Sequence, residues 1–262
     1  MLKKIVTYSV ITLLAAAAVA YFYFALALYA AKSGESVCRS VEVEISDSAV
    51  NKFVSKKEVI GIVSQLDGEI IGKRCNEINL ARIERLLTGR SAIKESQASL
   101  TRDGIMRIKI TQRRPVLRIE TLNGGFYIDE SGYIFPLMES FTSYVPVVSG
   151  HIPLYLDTDY RGKAAEEQMP WLGKILDLGK FLNSNPFWSA MIEQIYIEQN
   201  GDLILSPKVG KIKIIFGPPD DIEKKFRKLF AFYKNIAPQR GWEQYGEVNL
   251  KYKGQIVCKV NN

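Results

Sequence analysis

Residues 55–66 read SKKEVIGIVSQL, and this stretch sets the architecture of the first half of the chain. Ser55 and Glu58 have capping-box spacing: the hydroxyl accepts the N3 amide while the carboxylate reaches back to the N-cap. Val59, Ile62, Val63 and Leu66 then recur at helical spacing as one apolar stripe. Asp67-Gly68 ends the predicted helix. Upstream, Val41, Val43 and Ile45 alternate with Glu42 and Glu44, the period of a half-buried strand. Downstream, Asn79 is a good N-cap for a second helix with the stripe Leu80, Ile83, Leu86 and Leu87. A weak strand comes next, over 95–100. Arg102-Asp103-Gly104 reads as a turn, and Met106, Ile108 and Ile110 alternate with Arg107, Lys109 and Thr111. Asp-Gly between two strand-like runs signals a hairpin. The predicted order is β-α-α-β-β in about 75 residues, a compact α+β module, which Arg113-Arg114-Pro115 closes.

Beyond Pro115 the chain is richer in strands and turns. The stretch GGFYIDESGYIFPL, 124–137, reads as strand, turn at 129–132, strand. YVPVVSGHIPLYL, 144–156, adds an extended piece. Residues 166–182 read as a helix with Trp171, Leu172, Ile175, Leu176 and Leu182 inward. Asn200-Gly201 marks a two-residue hairpin between the strands of Ile195 and Ile197 and of Leu203 and Leu205. KIKIIF is the next strand. A helix is expected over 221–236, acids first and cations after, ended by Pro238.

The chain closes on GEVNLKYKGQIVCKVNN, 246–262. Val248, Leu250, Tyr252, Ile256, Cys258 and Val260 fall on even positions, with Asn249, Lys251, Lys253, Gln255 and Lys259 between them. Val257 is the exception. This predicts one long half-buried strand over 248–260, with Gly254 as a bulge. Its lysines are also what a protein uses to blunt a free sheet edge.

The 262 residues allow one large domain or two smaller ones; 47% are hydrophobic and 24% charged, so the chain is expected to fold. Residues 5–31 carry no charge. As a helix this run is roughly 40 Å long, enough to span a bilayer core of about 30 Å with some tilt. Tyr21, Tyr23 and Tyr29 suit an interface. The rival is a cleaved signal peptide with Ala25-Leu26-Ala27 as its site, but the run is about twice the usual apolar length of 7–15 residues. Lys3 and Lys4 flank one side and Lys32 and Arg39 the other, a weak charge bias. A four-residue tail before about 230 residues predicts a cytoplasmic N-terminus with the folded part outside. That placement weakens a nucleic-acid reading of the net charge of +7. Lys56-Lys57, Arg113-Arg114 and Lys224-Lys225 read as solvated faces, or else as sites attracted to anionic lipid or an acidic partner.

Cys38, Cys75 and Cys258 allow a Cys38–Cys75 disulfide in an oxidising compartment, or three small buried thiols. No spacing suggests a metal site. The one histidine, His151 in SGHIPL, reads as a loop residue. No HExxH, GxSxG, phosphate loop or dinucleotide fingerprint is present. Asp157-Thr158-Asp159 and Asp220-Asp221 read as turn and helix-cap acids. A non-local carboxylate pair, as in a glycosidase, stays open. No catalytic, cofactor-binding or metal residues are assigned.

The order of parts resembles the bacterial cell-division family FtsQ/DivIB. SKKEVIGIV and NEINLARIERLL resemble the two helices of that family's POTRA domain. LRIETLNGGFYIDESGYIFPL, 117–137, resembles the opening of its β domain. VPVVSG and GEVNLKYKGQIVCK resemble two further family stretches, in a form similar to Bacteroidetes-type members. The resemblance implies an α+β protein: cytoplasmic tail 1–4, transmembrane helix 5–31, POTRA-like domain 37–114, and a β domain over 115–262 ending in a long edge strand. It also implies a non-enzymatic scaffold of the division septum. The chain would sit in the inner membrane with its domains in the periplasm. FtsB/FtsL-type single-pass proteins would add a strand at the last β-domain edge, and other divisome proteins would meet the POTRA-like domain. The closing motif carries over as Lys251 and Tyr252, with Lys in place of the family's Arg, so a bidentate carboxylate contact becomes a point-charge contact. The expected docking residues are Val248, Leu250, Lys251, Tyr252, Lys253 and Gln255. An envelope-assembly factor would carry further POTRA repeats or a barrel, and a cell-wall enzyme would need a catalytic set.

Overall fold

The computed structural model of the chain describes residues 2–34 and 36–261. It is a mixed α+β structure that begins with one apolar helix, α1 (Leu2–Gly34). The window Ile11–Leu28 is long and apolar enough to cross a bilayer, and none of it is buried within the protein. Met1 lies outside the described residues, as do the side chains of Lys3, Lys4, Tyr29 and Lys32. The chain divides into two compact units. The first combines residues up to Ser48 with Val54–Gln112, and the second combines Ala49–Phe53 with Arg113–Asn262.

The first unit has the expected β-α-α-β-β order: β1 (Ser40–Ile45), α2 (Lys56–Asp67), α3 (Leu80–Thr88), β2 (Ile93–Leu100) and β3 (Ile105–Gln112). Its sheet runs β1-β3-β2, with β1 parallel to β3 (Val43 opposite Ile108) and β2 antiparallel to it (Ala98 opposite Ile108). Ser55 caps α2 by accepting the Glu58 amide at 3.2 Å, and Asn79 caps α3 by accepting the Arg82 amide at 3.0 Å. Of the predicted stripes, Val59, Ile62 and Val63 on α2 and Ile83 and Leu87 on α3 are buried, while Leu66, Leu80 and Leu86 are half-buried. Gly104 closes the β2–β3 hairpin at φ +78°, and a Cβ there would sit 2.2 Å from the Val37 carbonyl oxygen, so only glycine fits. Glu84 of α3 covers the outer edge of β2 by accepting the Ala98 amide at 2.7 Å. The three cysteines are free thiols. Burial, and then the neighbouring Cys75, push the Cys38 thiol above its ordinary value.

The second unit is built on a ten-stranded mixed sheet. Its strands are β4 (Pro115–Thr121), β5 (Gly124–Asp129), β6 (Tyr133–Pro136), β7 (Val147–Gly150), β8 (Gly162–Lys163), β9 (Ile192–Ile197), β10 (Leu203–Pro207), β11 (Lys213–Gly217), β12 (Tyr245–Asn249) and β13 (Val257–Val260). The order across the sheet is β13-β12-β11-β10-β9-β7-β4-β5-β6-β8. β4, β7 and β9 are mutually parallel, as are β11 and β12. Parallel neighbours need crossovers; β5 and β6 lie between β4 and β7 in the chain, and helices supply the other two. α4 (Met169–Ser184) and α5 (Pro186–Met191) lie between β7 and β9 in the chain. α6 (Ile222–Ala231), a π-helical stretch (Phe232–Ile236) and α7 (Ala237–Arg240) lie between β11 and β12.

The helices and the sheet share one apolar core, in which Leu172, Ile175, Leu178 and Leu182 of α4 meet Leu117 and Ile119 of β4. Gly179 lets α4 approach β4 closely. Asp129 accepts from the Ser131 and Tyr133 amides at 2.8 and 3.0 Å, fixing the predicted turn 129–132.

Two expectations are corrected. Pro238 does not end the helix begun at α6. The wider π-helical turn before it places Pro238 in the first turn of α7, where a missing N–H is tolerated. The closing run is a hairpin rather than one strand. Gly254 takes φ +73° in a turn, and β13 folds back antiparallel on β12. The even-number pattern survives because five residues, 251–255, lie between Leu250 and Ile256: the offset of six positions is even, so both arms keep the same parity toward the core.

Candidate partner-docking edge

β13 is the last strand at one end of the ten-stranded sheet, and among the described residues nothing pairs with its outer side. Its inner side pairs Asn249 with Val257, Val248 with Cys258, Glu247 with Lys259 and Tyr245 with Val260, with an irregularity at Gly246. The Asn261 amide also turns inward, donating to the Gln244 carbonyl oxygen at 2.8 Å. Strand alternation then sends the amides of Cys258 and Val260 to the outer edge. Val257 and Val260 are 46% and 47% exposed, large apolar side chains on a four-residue strand whose only charge is Lys259. The edge is therefore weakly blunted.

The six residues expected to dock a partner fall in three places. Val248 is fully buried in β12, between β11 and β13, and Leu250 is fully buried just after it. Lys251 is engaged within the protein: its stem crosses Gly217, whose Cβ would come within 2.5 Å of the Lys251 Cγ, and its ammonium pairs with Asp202. That hydrogen bond with Asp202 holds the Lys251 ammonium above the ordinary lysine value. Tyr252, Lys253 and Gln255 are exposed on the turn that leads into β13. The hairpin thus brings three of the six beside the free edge and turns the other three inward or ties them down. Val257, the exception to the sequence alternation, is one of the exposed edge residues.

The turn is held from α6. The Lys228 Nζ donates to the carbonyl oxygens of Leu250 (2.6 Å), Tyr252 (2.7 Å) and, more weakly, Gln255 (3.4 Å). Burial, then the neighbouring Lys225, push this lysine below its ordinary value. Lys225 is itself buried, bonded to Asp220 and the Pro218 carbonyl over the Phe216 ring. Asp221 is held below the ordinary carboxylate range, first by the hydrogen bond from Lys224, with Lys253 adding to the effect. A run read as a solvated face is therefore half structural, and so is Arg113-Arg114: Arg113 pairs with buried Asp129 at 2.8 Å and lies over the Tyr133 ring. Sequence reasoning missed Lys228 and Asp202, because each acts on a partner more than twenty residues away.

His151 is an exposed loop residue whose amide donates to the Ile197 carbonyl oxygen at 2.9 Å. Among the described residues no group of three or more His, Cys, Asp or Glu side chains is arranged to hold a metal ion.

The class that this fold defines is a POTRA-like module followed by a β-rich domain, behind an apolar helix compatible with a single-pass membrane protein. The POTRA-like domain model matches residues 36–111, and the model described as FtsQ/DivIB, C-terminal related matches residues 114–259. The chain belongs to the FtsQ/DivIB C-terminal related family. These are, in general, families of non-enzymatic scaffolds. Among curated proteins none matches the chain.

Proposed function

We propose that this chain is a non-enzymatic, single-pass scaffold of the bacterial divisome that docks FtsB/FtsL-type partners by strand addition to β13. The observation that carries the reading is the outer side of β13: a sheet end with two outward amides and exposed Val257 and Val260. Main-chain pairing at such an edge gives affinity, and alternate side chains give specificity. Tyr252, Lys253 and Gln255 frame the turn end of that edge and supply a polar, cationic lip for a partner carboxylate. In this reading α1 anchors the chain in the inner membrane with its N-terminus in the cytoplasm, and both domains work in the periplasm at the septum.

The test is co-purification of the full chain from gently solubilised membranes. FtsB/FtsL-type proteins are expected with the wild type and lost with Val260→Pro, which removes an outward amide and leaves the inward pairing in place. Retention of the same partners by Val260→Pro, with the fold intact, rejects the edge. Absence of such partners from the wild type rejects the divisome role.

A further inference from the structure

Beyond the end of β13 the second unit holds a cavity of about 870 Å³, lined by Met191, Val209, Ile212, Tyr233, Tyr245 and Asn261 among others. We propose that this cavity receives large apolar side chains of the same partner polypeptide that adds its strand to β13, immediately beyond the paired segment. This inference rests on the edge-docking reading and names where the partner's anchor sits.

Three observations carry it. The first is continuity. Asn261 belongs to both features: its amide and side-chain nitrogen donate to Gln244 and Glu243 at 2.8 and 2.9 Å, fixing the end of β13, and it forms part of the cavity wall. Tyr245, opposite Val260 in the register, is another wall residue. A chain running along β13 thus reaches the cavity as it passes Val260, and its side chains on the Tyr245 face extend the same apolar layer.

The second is insufficiency of the edge alone. β13 is four residues long and offers two outward amides. So few hydrogen bonds, each replacing a bond to water, do not offset the entropy lost on association. Interfaces of this kind gain their affinity from buried apolar anchors in pockets.

The third is chemistry. The wall is mostly apolar and includes the buried Tyr233 and Tyr245 rings, while exposed Lys211 and Glu243, opposite in sign, stand at the margin. An apolar centre with a polar rim is the anatomy of a protein interface. Val209 is 89% exposed at the mouth, a large apolar side chain with no intramolecular cover.

The volume also falls in the range of small-molecule sites, about 300–1,000 Å³, so a lipid acyl chain is the rival occupant. The experiment uses the full chain in lipid nanodiscs, co-expressed with its FtsB-type partner. Ala190→Trp and Val209→Trp fill the cavity from exposed positions, and Val260→Pro tests the edge separately. A photo-crosslinking benzoylphenylalanine in place of Val209 reports what lies in the mouth, and a thermal melt checks each variant's fold. The expected result is a tenfold or greater loss of partner with either Trp variant at unchanged melting temperature. The crosslink should map to a partner peptide bearing large apolar residues next to its added strand. Loss with Val260→Pro but none with the Trp variants keeps the edge reading and overturns the cavity proposal. Loss with the Trp variants but none with Val260→Pro overturns the edge reading and, with it, the joint occupant. Stoichiometric lipid that the Trp variants release without losing partner assigns the cavity to lipid and overturns the proposal.

Discussion

The ammonium of Lys228 and the carbonyl oxygen of Leu250 lie 2.6 Å apart, joining α6 to the first residue after β12. Leu250 is fully buried, so one end of this contact is fixed by the core. The second bond, to Tyr252, ties down the exposed turn that leads into β13. Lys228 thus sets where the edge strand begins. Lys228→Met keeps the aliphatic stem and removes the donors. The expected cost is about 1–2 kcal/mol, the net worth of one or two charged hydrogen bonds at a partly exposed site. Hydrogen exchange should quicken at residues 251–256 before it changes elsewhere in the second unit. Uniform quickening across the whole sheet would show that the clamp is not local.

Two glycines of α4 should respond in opposite directions. A Cβ on Gly179 would lie 2.7–2.8 Å from Leu117 and Val116 side-chain atoms, all in the core. Gly179→Ala is expected to destabilise the second unit by about 1–3 kcal/mol through overpacking. Gly173, in the same helix, has no atom within 4 Å of its added Cβ. Gly173→Ala should stabilise by about 0.5–1 kcal/mol, since alanine has the higher helix propensity. Denaturant midpoints of the two variants check both signs. Equal effects would mean that α4 does not pack on β4 at Gly179.

Asp129 accepts four hydrogen bonds, from the Arg113 guanidinium and from Ser131 and Tyr133. It is buried, and Arg113 is only 11% exposed at its side chain. Removing one partner of a buried pair strands the other charge. Asp129→Ala is therefore expected to cost roughly 3 kcal/mol, and Asp129→Asn less, because its amide oxygen still accepts from the turn amides. The check is chemical denaturation at constant pH. A cost below about 0.5 kcal/mol for Asp129→Ala would place the pair among surface ion pairs.

Local signals carried the first unit into the sequence. Ser55, Asn79 and Asp103-Gly104 mark a capped helix, a second capped helix and a hairpin whose partners all lie within a few residues. The second unit's turns at 129–132 and Asn200-Gly201 were legible for the same reason, although the second is a three-residue loop, 199–201, closed by the Glu198 amide on the Asp202 carbonyl oxygen at 2.9 Å, rather than the expected two-residue one. The closing hairpin was not. Its turn residues, Lys253-Gly254, lack the Asn-Gly or Asp-Gly signature, and the seven residues between Asn249 and Val257, an odd number, preserved the alternation that an even loop would have broken. The docking residues inherited that error in geometry: Val248 and Leu250 fit the pattern because they face the core, while Val257 broke it because it faces out. Lys251 and Lys228 have partners set by the sheet order, with β12 beside β11 and the helices packed over both. No spacing within the sequence encodes that order.

Tyr233 stands at the wall of the cavity and is 7% exposed, and burial raises its phenol to about 12 from an ordinary value of 10. In the unfolded chain the same group ionises near pH 10. The folded state therefore holds the proton more tightly, so this contribution is complete below pH 10 and is lost as pH rises from about 10 to about 12. Two pH units correspond to roughly 3 kcal/mol at full loss. Other groups titrate in the same window. Lys251, raised by Asp202, loses its contribution as it deprotonates, while Lys228, lowered by burial, gains. Tyr233→Phe isolates the phenol. Its stability difference from wild type should be constant below pH 9, and should shift in the variant's favour by up to about 3 kcal/mol between pH 10 and 12. The difference in phenolate absorbance between folded wild type and Tyr233→Phe should rise only as pH approaches about 12. A pH-independent difference between variant and wild type would mean that the Tyr233 hydroxyl reaches water, and that the cavity beside it is wet rather than apolar.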